Sequence, residues 1–152
     1  MINNNFEKKL KSKEFVFTAE TSPPDSTVRS EITDRVLCLK DLADAINVTD
    51  GASAKSHLSS LVVSSIIKDI EIEPILQLTT RDRNRIAIQS DLLGAWTLNI
   101  QNILCIYGDQ VETGDQPETK EVRDLDTLGV INTANYFKKE KKFPSGRSIK
   151  SA

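Results

Sequence analysis

The sequence predicts an α/β fold in which short buried strands alternate with longer amphipathic helices. Strand-sized apolar runs recur at regular intervals, and helical spacing of apolar residues fills the segments between them. Residues suited to start a helix stand at the junctions. A helix crossing over between successive strands returns the chain to the same end of the sheet, so the strands are predicted to be parallel.

The first twelve residues are expected to form a polar N-terminal extension, since MINNNFEKKLKS has no apolar stretch. The first strand is predicted over Phe15 to Ala19, followed by a helix opening at Asp25 or Ser26 with Ile32, Val36, Leu39 and Leu42 on one face. Ala45 to Thr49 is the second strand, and Leu58, Leu61, Val62, Ile66 and Ile70 mark the second helix, capped by Ser53 or Ser56. Pro74 to Thr79 is the third strand, and a helix opening at Thr80 or Asp82 carries Ile86, Ile88, Leu92, Leu93 and Ala95. Asn102 to Tyr107 is the fourth strand, and a fourth helix is expected around Leu125 to Lys139.

No glycine-rich turn follows the first strand, where the chain reads ETSPPDS, so the doubly wound dinucleotide fold loses its main signature. A (β/α) barrel is the better match, with residues 13–142 as the N-terminal half of a (β/α)8 TIM barrel holding about four βα units. Residues 143–152 are basic and contain Pro144 and Gly146, and they read as a loop leading to an absent fifth strand. A complete barrel needs roughly 250 residues, and half of one leaves two sheet edges uncovered. A missing C-terminal half or a second copy is therefore expected to cover them.

Twenty basic and twenty-two acidic residues give a net charge of -2, which points to neither nucleic acid nor an anionic membrane. No run approaches the roughly 18 apolar residues that a membrane span needs, and a cytoplasmic protein is expected. Cys38 and Cys105 are far apart in apolar runs, which predicts two buried thiols rather than a disulfide or a metal pair. No metal site is expected. His57 is read as a helix-surface residue and Trp96 as packing.

In parallel barrels chemistry gathers at the C-terminal ends of the strands. Standing there are Glu20, Thr49 with Asp50, Gln77 with Thr79 and Thr80, and Gly108 with Asp109. Each has an ordinary reading: a loop glutamate before Pro-Pro, two tight turns, and a buried glutamine that needs a hydrogen-bond partner. The RDRNR run reads as a solvated helix start.

Taken together, E-x-x-P-P after the first strand, V-T-x-G-A after the second, P-x-L-x-L-T-T-R-D-R-N-R through the third and I-L-x-I-x-G-D at the fourth resemble the methylenetetrahydrofolate reductase family. The likeness covers roughly residues 13 to 125, and TTRDRN with QSDLLGA is similar to a divergent bacterial branch. The resemblance implies a barrel holding FAD at its mouth, reduced by NAD(P)H and reoxidised by the folate substrate. Glu20 matches the acid that protonates the folate nitrogen as its five-membered ring opens. Asp109 matches an aspartate near flavin and folate, Thr49 a flavin-contacting threonine, and Gly108 a close backbone approach to the cofactor. Gln77 stands where the family places a flavin-contacting histidine, and Tyr107 where it places an arginine. The resemblance implies further flavin and folate contacts from the second half of the barrel, so this chain is not expected to be fully active as it stands. Two other readings are a non-catalytic half-barrel that binds a pterin or a protein, and a pterin-binding methyltransferase suggested by NVTDGAS.

Overall fold

A computed structural model describes residues 5–150. Four strands, β1 (Thr18–Thr21), β2 (Ala45–Val48), β3 (Pro74–Thr79) and β4 (Asn102–Ile106), form one sheet in the order of the chain. All three pairings are parallel, with Glu20 opposite Asn47 and Gln77 opposite Leu104. The helices are α1 (Asn5–Ser12), α2 (Arg29–Leu37), α3 (Ser60–Asp69), α4 (Arg85–Thr97) and α5 (Thr127–Glu140). Each of α2, α3 and α4 crosses between neighbouring strands, which gives the partial (β/α) barrel that the sequence predicts. None of the described helices is long and apolar enough to cross a membrane.

The core lies on one face of the sheet. Ile46 and Val48 of β2 pack with Ile32 and Val36 of α2 and with Val63, Ile66 and Ile67 of α3. Leu78 of β3 packs with Ile88 and Leu92 of α4 and Val130 and Phe137 of α5. Leu76 joins Ala95 and Ile100. Burial of these aliphatic side chains is the main force for folding, at ~25 cal/mol per Å² of apolar surface. Side chains alternate along a strand, so Glu20, Asn47, Thr49, Gln77 and Leu104 belong to the opposite, inner face.

Several expectations shift by a few residues, each for a local reason. The first strand begins at Thr18 rather than Phe15, because its partner begins at Ala45, opposite Thr18. Phe15 and Phe17 are consequently exposed. Helix α2 ends at Leu37, before a turn region in which Asp41 adopts φ +68°, so Leu42 is exposed instead of extending the apolar face. The buried face of α3 is Val63, Ile66 and Ile67, which turns Val62 to solvent. Its N-cap position is Ser59 rather than Ser53 or Ser56, and α2 opens after Val28 rather than at Asp25 or Ser26. Asn84 caps α4, accepting hydrogen bonds from the Ile86 and Ala87 amides, in place of Thr80 or Asp82. Ile86 of that helix is exposed.

The polar extension is helical over α1, with no buried residue, and an ion pair from Lys9 ties it to Asp44 just before β2. Past α5 the chain folds back. Lys142 bridges Ser148, the Phe143 ring meets Phe137 edge-on at 5.4 Å, and Ile149 rests on the same cluster. Cys38 is exposed, against expectation, because it follows α2 two residues beyond buried Val36 and so leaves the core-facing side. Cys105 is half-buried, and burial pushes its thiol pKa up. Trp96 packs on the α4–α5 cluster, with the Lys141 ammonium 4.0 Å from its ring centre.

Candidate active site at the strand mouth

Parallel pairing brings the loops after all four strands to one end of the sheet. Two unlike polar groups form there.

The first group ties the loops together. Asp50, just past β2, is buried, and its carboxylate accepts from the Thr79 amide at 2.9 Å, the Ser60 hydroxyl at 3.1 Å and the Arg83 guanidinium at 2.6 and 3.2 Å. Arg83 also reaches Asp91 at 2.8 Å. Burial opposes the Arg83 charge, but the hydrogen bonds and charge of Asp50, with Asp91 behind them, hold its pKa above the ordinary value. Arg81 is 3% exposed and donates to the Gly51 and Asp109 carbonyls and, at 2.7 and 2.8 Å, to Asp82. The Asp82 hydrogen bonds outweigh desolvation and raise its pKa. Gly51 adopts φ +58°, and a Cβ there would stand 2.4 Å from an Arg81 nitrogen, so only glycine lets the guanidinium lie against this turn. A cleft of about 430 Å³ lies among these loops, lined by Asp50, Gly51, His57, Arg81, Arg83 and Gln116 among others. Both of its arginines are already paired with aspartates.

The second group lies on the inner face. Gln77 is buried, and its amide nitrogen donates to the Glu20 carboxylate at 3.2 Å, across the width of β2. Thr49 is buried between their strands, and its hydroxyl has no hydrogen-bond partner among the described residues.

The β4 loop joins the first group. Gly108 adopts φ +89°, and a Cβ there would stand 2.2 Å from the Thr79 hydroxyl, so its glycine is explained by the protein's own packing. The Asp109 carboxylate accepts from the Ser53 amide at 2.7 Å, pinning a short 3-10 turn, Ala52–Ala54, that follows β2. The Tyr107 carbonyl accepts from Thr79, Thr80 and Arg123, while its half-exposed ring lies 3.6 Å beneath the Arg123 guanidinium.

A family model described as methylenetetrahydrofolate reductase matches residues 5–146, which includes all four strand ends. The chain belongs to the methylenetetrahydrofolate reductase family. A search of curated proteins found no match. Membership indicates a reductase-type enzyme of a family that is generally flavin-dependent.

Against that family background, the six candidate residues divide between the two groups. Glu20, Gln77 and Thr49 share the inner face, whereas Asp109 and the Tyr107 carbonyl bond to the loop-tying group and Gly108 packs closely against Thr79. The RDRNR run is not simply a solvated helix start: Arg81 and Arg83 clamp three loops, and exposed Asp82 anchors Arg81. Asp50 is more than a turn residue for the same reason. The signal available in the sequence was charge directly after a fully buried strand, where each charge requires a partner. His57 precedes α3 and sits at the mouth, its ring nitrogens 2.7 Å from Asp25 and 3.2 Å from the Ala52 carbonyl, rather than on a helix surface.

Proposed function

We propose that this chain forms the first four βα units of a flavin-dependent enzyme that reduces 5,10-methylenetetrahydrofolate to 5-methyltetrahydrofolate with NAD(P)H. The observation that carries the reading is the pairing of Glu20 with Gln77 on the inner face at the strand mouth, in a chain of this family.

Glu20 is exposed at that mouth and free to meet a substrate. As the proton donor, it transfers its O–H proton to the folate nitrogen while the ring C–N bond breaks. The substrate is left as an iminium ion and Glu20 as a carboxylate. When bound, FAD would supply the hydride chemistry at the iminium carbon, with NAD(P)H as the source of the reducing equivalents. Thr49 fits a role in holding the cofactor, because a buried hydroxyl without a partner is costly and a ligand acceptor there would satisfy it. Gly108 and Asp109 bring backbone and negative charge to the same end of the barrel. Tyr107 occupies the expected arginine position, and Arg123 stacked on its ring brings a guanidinium to that place. The outer sides of β1 and β4 have no strand partner among the described residues, and four more βα units, from further polypeptide or a second copy, would close the barrel.

Titration of the protein with FAD, followed by visible absorbance, tests the reading. The expected result is flavin uptake that weakens in Thr49→Val, bleaching by NADH or NADPH, and recovery of colour on adding methylenetetrahydrofolate. Protein that takes up no FAD, in its natural full length, would overturn it.

A further inference from the structure

We propose that Gln77 is a positioning residue for Glu20, its carboxamide fixing which carboxyl oxygen carries the transferable proton. The inference rests on the reading of Glu20 as proton donor and adds a residue that acts through it.

The two side chains come from strands that are not neighbours. β2 lies between β1 and β3, so the 3.2 Å bond from Gln77 Nε2 to Glu20 Oε2 spans a whole strand. Gln77 is held tightly, since β3 is buried along its full length, while Glu20 sits on the exposed edge strand. The buried partner therefore sets the orientation of the exposed one.

A carboxamide NH₂ group donates and cannot accept. The oxygen it meets, Oε2, must then be an acceptor whether Glu20 is neutral or ionised. In the neutral acid the proton is confined to Oε1, the oxygen left for a substrate nitrogen. A carboxamide does not titrate near neutrality, so its bond persists as Glu20 loses and regains its proton in each cycle. An ionisable group at position 77 would change its own role with pH.

The geometry is tested first in the flavin-free chain by the side-chain amide resonances of Gln77, identified by their disappearance in Gln77→Met. One amide proton is expected downfield, moving toward the free-glutamine position in Glu20→Leu. An amide pair that ignores Glu20→Leu would overturn the proposal. In the flavin-loaded protein at its natural full length, Gln77→Met is expected to slow flavin reoxidation by methylenetetrahydrofolate about tenfold or more, within the range by which general acids act, and to slow reduction by NAD(P)H less. Adding Gln77→Met to Glu20→Gln should slow reoxidation no further, because the acid through which Gln77 acts is already gone. Multiplied losses, or no loss in Gln77→Met while Glu20→Gln is impaired, would sink the role of Gln77 alone. An unimpaired Glu20→Gln would instead sink the proton-donor reading beneath it.

Discussion

The loop-tying group and the inner-face group stand at the same end of one sheet, yet polarity serves opposite purposes in them. Around Asp50, Arg81 and Arg83 every charge is paired, and the partners come from loops that follow different strands. On the inner face side-chain hydrogen bonds are sparse: one joins Glu20 to Gln77, the Thr49 hydroxyl has no partner among the described residues, and Leu104 is partly exposed. Dense, closed pairing marks structure, whereas open hydrogen-bonding capacity marks the place where a ligand fits.

The sharpest way to break this contrast is to remove the centre of the closed group. Asp50→Ala leaves the partly buried Arg83 with Asp91 alone and the Thr79 amide without its acceptor, and it is expected to destabilise the fold by ~3 kcal/mol. Denaturant unfolding measures this, and a change within ~0.5 kcal/mol, the scale of ordinary surface substitutions, would show that the clamp is idle. Gly51→Ala should cost ~1–2 kcal/mol from the left-handed backbone alone, with further displacement of Arg81, read as a lower midpoint in the same experiment.

A smaller effect comes from the edge of the mouth, where hydrogen bonds from the Arg85 side chain and then its backbone amide pull Asp124 from the ordinary 3.8 down to about 2. A depressed carboxylate stabilises the fold above its unfolded pKa. That contribution is fully present above pH 3.8 and is lost as pH falls toward 2. The pair is exposed, so the expected outcome is slight: wild type and Asp124→Asn should differ most near neutral pH and converge by about pH 2. A difference that stays constant over this window would remove Asp124 from the set of paired groups.

Much of the fold was legible in the sequence because buried parallel strands read as nearly continuous apolar runs, and PILQLT and AINV stand out although Asn47, Gln77 and Thr79 interrupt them. Boundaries were less legible. β1 is an edge strand whose start is set by where β2 begins, and Phe15 and Phe17 resemble strand residues without being paired as such. The positions of Glu20, Thr49 and Gln77 followed from the strand ends. The clamp did not, because Arg81 and Arg83 in isolation look like any solvated arginines, and only the long-range meeting with Gly51, Asp50 and Asp109 buries and pairs them. Cys38 misled for the opposite reason, as an apolar neighbourhood in sequence turned out to straddle a helix end.

The most direct test of the central claim is a paired measurement on Glu20→Gln: the unfolding midpoint, and the rate at which methylenetetrahydrofolate reoxidises the reduced flavoprotein. If the inner face is built for chemistry and the clamp for structure, the stability derived from the midpoint stays within ~0.5 kcal/mol of wild type while reoxidation falls by roughly 10²-fold or more. Unchanged reoxidation, or a loss of stability comparable with that of Asp50→Ala, would contradict the account.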